Sequence, residues 1–168
     1  FKHLKIPIKI KKRGNFDIIE IKGKKKINPI IYNIPADISS SAFFIVLTAL
    51  SNNSKLTIKN VNVNPSRTGL LKILKKMGVS ISQKNKKIYK GEKKADLIIK
   101  STKILKSINC PSNLNSGAID EFLLIFLVAA KSKGISYFKG LGELNQKESP
   151  RLKWGAKILN YMGVKTEL

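Results

Sequence analysis

Cysteine and histidine occur once each in this chain of 168 residues, as Cys110 and His3. A single thiol excludes a disulfide framework within the chain, and one thiol with one imidazole leaves no usual zinc-ligand set. The two lie far apart in sequence and neither sits in a recognisable nucleophile signature, so both are read as structural. A reducing compartment, the cytoplasm, is the expected setting. Arginine is almost as scarce: Arg13, Arg67 and Arg151 are the only three among 33 basic residues. Acidic residues number just 10. The longest apolar run, Phe122 to Ala130, is too short to span a bilayer, so no membrane role is expected.

The formal charge of +23 would suit nucleic acid, an anionic membrane or phosphorylated metabolites. Nearly all of it is lysine, spread along the whole chain beside abundant Asn and Ile. A base-reading surface draws on arginine, whose planar fork matches guanine and phosphate. No aromatic RNA-recognition motif is present either. Most of the charge is therefore compositional bias, and no nucleic-acid partner is expected. A basic nucleic-acid-binding module stays as the alternative from a different class. Apolar residues make up 42% of the chain, which argues for a globular protein rather than a disordered one. The chain opens on Phe1 in what reads as the middle of an element, so a segment of a longer protein is expected.

An internal repeat organises the sequence. Lys72-Ile73-Leu74-Lys75-Lys76-Met77-Gly78-Val79 returns as Lys157-Ile158-Leu159-Asn160-Tyr161-Met162-Gly163-Val164, identical at six of eight positions with an offset of 85. Pro65 maps onto Pro150 at the same offset, after Asn64 and Ser149. Each pair reads as an N-cap with proline at the first helical position. Both helices end in Met-Gly-Val, with glycine at the C′ position. Each repeat also holds an earlier helix that is apolar nearly all round and hence buried: Ile38 to Leu50, with Asp37 as its cap, and Ile119 to Ser132. Strands are expected at Lys55–Val61 and Ile135–Lys139. The unit reads β-α-β-α-β-β. Leu70, Ile73, Leu74 and Met77 form the inner face of the first surface helix, with Lys72, Lys75 and Lys76 opposite. Residues 1–33 differ: Ile6, Ile8 and Ile10 alternate, and Phe16–Ile21 is a second strand candidate. A boundary is placed near Tyr32–Ile34.

The scarce residue types converge at Lys147-Glu148-Ser149-Pro150-Arg151. An ammonium, a carboxylate and a guanidinium stand within five positions at the mouth of a helix. Glutamate suits a first turn, whereas arginine there opposes the helix dipole unless an anion is bound. The competing reading is an ordinary charge cluster. Asp120 and Glu121 head the second apolar helix, either as plain caps or as carboxylates desolvated enough for proton transfer. Arg67 either binds an anion at its helix start or fixes the loop. Gly140-x-Gly142 begins like a dinucleotide loop, but Asn145 stands where the third glycine would be.

Five segments, in this order, resemble the 5-enolpyruvylshikimate-3-phosphate synthase family: Ile34-Pro35-Ala36-Asp37-Ile38-Ser39-Ser40, Asn64-Pro65-Ser66-Arg67-Thr68-Gly69, Ala95-Asp96-Leu97, Ile119-Asp120-Glu121 and Lys147-Glu148-Ser149-Pro150-Arg151-Leu152. The resemblance covers nearly all of the chain from residue 34 and, more loosely, from residue 1. It implies an α+β fold of the enolpyruvyl transferase type, an inside-out α/β barrel with three βαβαββ units in each of two domains. Residues 1–33 would be the C-terminal tail of one domain and residues 34–168 two of the three units of the other. The implied reaction moves the enolpyruvyl group of phosphoenolpyruvate to the 5-hydroxyl of shikimate 3-phosphate and releases phosphate, towards chorismate and the aromatic amino acids. It implies no metal and no cofactor, two small-molecule substrates and a monomer at full length.

The resemblance also implies roles. Asp120 matches the proton acceptor that contacts the shikimate 5-hydroxyl, and Lys147 the lysine that binds shikimate 3-phosphate. Glu148 matches the glutamate of proton transfer, and Arg151 an arginine that grips phosphoenolpyruvate. The sequence departs from the family at Ala36 and Ser107, each in place of a usual Gly. Asn145-Gln146 replace Arg-Val, and Pro150 replaces Asp. The family's Lys-Ser start, Ser-Ser-Gln and Asp-His-Arg motifs are absent from these residues, and the active cleft lies between two domains. The segment alone is therefore expected to be inactive. The close alternative is a related transferase acting on a UDP-linked N-acetyl amino sugar, which uses a catalytic cysteine in a loop context that Cys110 lacks.

Overall fold

The computed structural model describes residues 1, 4–23 and 26–168. His3 lies outside the described residues. The chain divides into two compact units, Phe1–Ile34 and Pro35–Leu168.

The first unit is a hairpin. Strands β1 (Ile8–Arg13) and β2 (Phe16–Ile21) pair antiparallel from Ile8↔Ile21 to Arg13↔Phe16 across a two-residue turn. Ile8 and Ile10 alternate along β1 and β2 carries Ile18, Ile19 and Ile21, but Ile10, Phe16, Ile19 and Ile21 are exposed. An isolated two-stranded ribbon has no second layer on which to bury them.

The second unit is built on helix α1 (Ile38–Leu50). Asp37 caps it, its Oδ2 accepting the Ser40 N–H at 2.8 Å. Strand β3 (Lys55–Asn62), helix α2 (Gly69–Lys76) and strands β4 (Ser80–Tyr89) and β5 (Glu92–Lys100) follow. The sheet order is β3-β5-β4, all antiparallel, so α2 carries the chain across the central strand. Ala36 adds a parallel bridge to Val61, and with it the βαβαββ order of the first repeat is complete. Ile38, Ile45, Leu70, Ile73, Leu74 and Met77 pack with Val61, Leu97 and Ile99 in one core. Lys72, Lys75 and Lys76 stay outside.

Asp96 explains the Ala-Asp-Leu motif in β5. Both neighbouring strands bulge beside it, between Ile58 and Val61 and between Lys84 and Lys87. Its Oδ1 accepts the Asn60 N–H at 2.8 Å and its Oδ2 the Asn85 Nδ2–H at 2.7 Å. Asn60 and Asn85 both sit at positive φ, a conformation asparagine tolerates better than most residues. One carboxylate thus ties both bulges to the central strand. The Asn85 side chain, then the Asn60 amide, hold its carboxyl below the ordinary value.

The second repeat carries helices α3 (Phe122–Lys131) and α4 (Arg151–Tyr161). The strand expected at Ile135–Lys139 is reduced to a parallel bridge, Asn109↔Tyr137, with a further bridge at Lys106↔Lys133. Cys110 N–H donates to the Tyr137 carbonyl and Tyr137 N–H to that of Ile108, each at 2.8 Å, and the ladder extends no further. Helix α3 packs against α1, and Phe122, Phe126 and Phe138 form an aromatic cluster beside it.

Both surface helices close in the same way. Gly78 and Gly163 take φ of +94° and +80°. Val79 N–H reaches the Leu74 carbonyl at 3.0 Å, and Val164 N–H that of Leu159 at 2.9 Å, which are the long bonds of a Schellman motif. The helix starts differ from expectation. Pro65 opens a 3-10 turn, Pro65–Arg67, and α2 begins only at Gly69. Asn64 makes no side-chain cap because its Oδ1 accepts the Lys93 N–H at 3.4 Å while its Nδ2–H donates to Glu92, both in β5. Pro150 itself stands just before α4, and Ser149 offers its carbonyl to the Arg151 N–H at 2.7 Å. The repeats part company in burial: Ile73 and Met77 are fully buried, whereas Ile158 and Met162 are 54% and 65% exposed.

Gly69 joins the repeats at close range. Its N–H donates to the Gly117 carbonyl at 2.9 Å, and a Cβ there would lie 2.5 Å from the Gly117 carbonyl carbon and 2.7 Å from the Leu114 carbonyl oxygen. Backbone on both sides leaves no flexible group to yield. Gly69→Ala is expected to destabilise the protein by about 3 kcal/mol, as overpacking does. Denaturant unfolding reads this directly, and a wild-type midpoint would refute it.

Candidate active site

Helix α3 has no polar face, so its carboxylates are confined to the turn ahead of it. That turn is a single 3-10 turn, Ile119–Glu121, rather than the first α-helical turn expected from the sequence. Neither carboxylate caps: Ala118 holds the cap position of the turn and Glu121 that of α3, and neither makes a side-chain cap bond. The turn sends its two neighbouring acids to different surroundings. Asp120 keeps 42% of its side chain exposed. Glu121 is buried, with 4% of its surface accessible.

Lys147 follows a second 3-10 turn, Gly142–Gln146, which buries Leu144 and so fixes the chain entering α4. Arg151 opens α4. The fold brings Asp120, Lys147, Glu148 and Arg151 together. Lys147 Nζ lies 3.5 Å and Arg151 Nη1 3.4 Å from the same oxygen, Asp120 Oδ1. Arg151 Nη2 donates to Glu148 Oε2 at 2.7 Å, and Lys147 Nζ lies 3.6 Å from Glu143 Oε1. The two cations are the better enclosed members, with side chains 25% and 28% exposed against 82% for Glu148. The hydrogen bond from its own backbone N–H, then the Arg151 guanidinium, hold the Glu148 carboxyl below the ordinary carboxylate range. Asn145 accepts the Lys153 N–H at 3.2 Å through its Oδ1 and serves the start of α4.

The sequence raised Asp120 and Glu121 together, as caps or as desolvated carboxylates, and the resemblance gave a role to Asp120 alone. Ser39 Oγ, at the head of α1, donates to Glu121 Oε1. Arg67 Nη2 donates to Ser39 Oγ at 3.0 Å and lies 3.9 Å from Asp37 Oδ1. Arg67 is thereby tied to the α1 head, which is the structural one of its two readings. Burial pushes the Glu121 carboxyl up, with Asp120 and Asp37 adding to the shift. The Ser39 hydrogen bond and Arg67 oppose it. The only sequence signal was a carboxylate beside an apolar run, and which of two adjacent acids turns inward depends on the turn type.

Cys110 is buried, and burial pushes its thiol up, which suits neither a nucleophile nor an exposed sensor. Among the described residues, no group of three or more His, Cys, Asp or Glu is arranged to hold a metal ion. No described helix is long and apolar enough to cross a membrane. A groove of about 500 Å³ runs along α4, lined by Lys153, Tyr161, Thr166 and Leu168 among others, and none of the four site residues borders it.

A family model described as EPSP synthase (3-phosphoshikimate 1-carboxyvinyltransferase) matches residues 1–168. The chain belongs to the EPSP synthase family. The 3-phosphoshikimate 1-carboxyvinyltransferase of Vesicomyosocius okutanii is 39% identical over 154 residues, covering 92% of this chain and 35% of that protein. The enzyme of the same name from Legionella pneumophila strain Paris is 44% identical over 135 residues, covering 80% and 31%. Among solved structures, EPSP synthase from Acinetobacter baumannii superimposes with a TM-score of 0.80 at 38% identity, over 90% of this chain and 34% of that one. The mixed helix-and-sheet architecture is thus that of EPSP synthase in part. The chain spans about a third of the length of these relatives.

The buried Glu121 gives a pH signature with a definite sign. A carboxyl whose folded value lies above its ordinary 4.5 binds more protons folded than unfolded between those two values. Its contribution to stability is therefore full below 4.5 and is lost as pH rises through the raised value. Glu121→Gln removes that loss. The stability difference, wild type minus variant, is expected to fall as pH rises from the ordinary 4.5 through the raised value. Denaturation at several pH values measures it, and a flat difference would show that Glu121 is not desolvated.

Proposed function

We propose that this chain is part of an enzyme that transfers the enolpyruvyl group of phosphoenolpyruvate to the 5-hydroxyl of shikimate 3-phosphate, releasing phosphate. Family membership supports the reaction. The observation that carries it onto these residues is the seating of Lys147 and Arg151 on one oxygen of Asp120.

The chemistry needs a base at the attacking hydroxyl, an acid at the enolpyruvyl methylene and fixed positive charge for phosphate and carboxylate. Asp120 takes the proton from the 5-hydroxyl. Lys147, beside it, binds shikimate 3-phosphate, and Arg151 grips phosphoenolpyruvate through its planar fork. Protonation of the methylene by Glu148 makes a cationic carbon, the hydroxyl attacks it, and the tetrahedral intermediate expels phosphate as its methyl group returns a proton to Glu148, which restores the enol double bond. Glu148 is the proton-transfer partner. Without substrate its own backbone N–H, then Arg151, hold its proton affinity low. A substrate anion that draws the guanidinium away removes the Arg151 share of that restraint and raises the proton affinity of Glu148 at the moment when an acid is needed. The long contacts to Asp120, 3.4 and 3.5 Å, orient the cations without binding them tightly.

In this reading residues 1–33 end one domain, and residues 34–168 supply two of the three βαβαββ units of the other. Phe43, Phe44 and Leu47 of α1 and Trp154, Ile158 and Met162 of α4 are exposed apolar residues, which suits faces that further units cover. The complete enzyme is a cytoplasmic monomer that needs no cofactor. The cleft forms between domains, so these residues alone are expected to show no turnover.

In the intact protein, Asp120→Asn is expected to lower kcat by about 10²–10⁴, the usual range for a lost general base. Phosphate release with both substrates measures it, and near-normal turnover would remove the role. Arg151→Lys is expected to raise the phosphoenolpyruvate KM and to lower kcat/KM about tenfold or more, because a point charge cannot replace the fork. Wild-type values for both constants would take Arg151 out of the site.

A further inference from the structure

Three polar side chains beside the site have no part in the reaction just described, and they form one hydrogen-bonded chain. Arg67 donates to Ser39 Oγ, and Ser39 donates to Glu121 Oε1. Each link belongs to a different element: the 3-10 turn ahead of α2, the head of α1, and the turn ahead of α3. The direction of the chain is fixed. A guanidinium has no acceptor, so Ser39 Oγ must accept from Arg67 and has its single proton left for Glu121. Arg67 also lies 3.9 Å from Asp37, the residue that caps α1. The clamp therefore sits on the capped head of α1.

The far end of the clamp is one residue from Asp120. A buried carboxylate without a partner is costly, so Glu121 can occupy only the position where Ser39 meets it. Fixing Glu121 fixes the three-residue turn Ile119–Glu121, and with it the exit of the Asp120 side chain. Phe122, which follows directly, is fully buried against the core and holds the other end of the turn. The charged groups around Glu121 are Arg67, Asp37 and Asp120.

We propose that Glu121 is a positioning residue, clamped by Ser39 and Arg67 so that the adjacent Asp120 carboxylate is aimed between Lys147 and Arg151. The proposal rests on the enolpyruvyl-transfer reading above. It means that the first repeat, which supplies none of the four site residues, sets the geometry of the acid/base group in the second. That reading gives neither Ser39 nor Glu121 a contact with substrate.

The test uses the intact protein and the phosphate-release assay. Ser39→Ala leaves Glu121 buried without its donor. It is expected to lower kcat about tenfold, a sensitivity in keeping with misplacement of a catalytic group, while the phosphoenolpyruvate KM changes less than about twofold. Ser39→Thr keeps the hydroxyl and is expected to restore kcat to within about twofold of wild type. Glu121→Gln keeps the shape but changes the charge. It is expected to fall with Ser39→Ala rather than with Ser39→Thr, with no further loss in the double variant, since both act through one contact. Thermal midpoints confirm that each variant is folded at the assay temperature. A purely structural clamp would lower the midpoints and leave kcat per folded molecule unchanged, which overturns the proposal. So would equal loss in Ser39→Thr and Ser39→Ala. If Ser39→Ala and Glu121→Gln turn over normally while Asp120→Asn does not, the clamp fails and the transferase reading stands. If the wild-type protein transfers no enolpyruvyl group, the reading fails and the proposal falls with it.

Discussion

Helices α1 and α3 have no charged face, and each has to bury apolar surface: Ile38, Ala42, Ile45 and Val46 of α1 and Phe122, Ile125 and Val128 of α3 go into the core, while Phe43, Phe44 and Leu47 of α1 stay exposed. The rest of the second unit follows from this demand. The two pack on each other, α1 lies against strands β3 and β5, α2 packs on α3, and the aromatic cluster of Phe122, Phe126 and Phe138 fills in beside α3. Polar side chains are excluded from the helix bodies and collect at the ends. The heads of α1 and α3 come close enough for Ser39 to reach Glu121. The site is in this sense a by-product of enclosure: the only places where α1 and α3 carry acids are the turns that lead into them.

The turn ahead of α3 separates two carboxylates that are neighbours in sequence. Glu121 points inward and exchanges water for one hydroxyl, and its proton affinity rises accordingly. Asp120 points outward and meets two cations. A tight 3-10 turn sends successive side chains in widely different directions, which allows one acid to anchor and the next to react. The cations arrive by a separate route. Leu144 is buried and fixes the turn before Lys147, and α4 presents Arg151 at its mouth. Arginine at a helix N-terminus is unfavourable by the macrodipole alone, and here two carboxylates offset it.

The internal repeat shows how far local sequence reaches. Met77-Gly78-Val79 and Met162-Gly163-Val164 make the same Schellman closure with the same bonds, because that geometry needs only a glycine at positive φ and carbonyls already in the helix. Burial is not repeated. Ile73 and Met77 lie under the β4–β5 layer, and their counterparts Ile158 and Met162 face outward. Identical residues therefore share a backbone form and differ in environment, since environment is supplied by segments distant in sequence.

The sequence by itself determined the helices and their order. From Ile38 to Leu50 the chain carries no charge, and its only polar residues are Ser39, Ser40, Ser41 and Thr48, which reads as a mostly apolar helix with Asp37 placed to cap it, and the structure forms the helix over those bounds. The repeat, the Met-Gly-Val closures and the cluster at Lys147-Glu148-Arg151 were equally plain, since each depends on neighbours within a few positions. Helix starts were not. Asn64 would cap by local rules, but its amide goes to Glu92, which lies 28 residues further on. The choice between Asp120 and Glu121 for the inward position, and the tie of Arg67 to Ser39 rather than to a free anion, also came only with the tertiary structure. Local bonds compete at close range and can be read from spacing. A buried carboxylate takes whichever partner the packing of distant helices brings to it, and Ser39 stands 82 residues from Glu121.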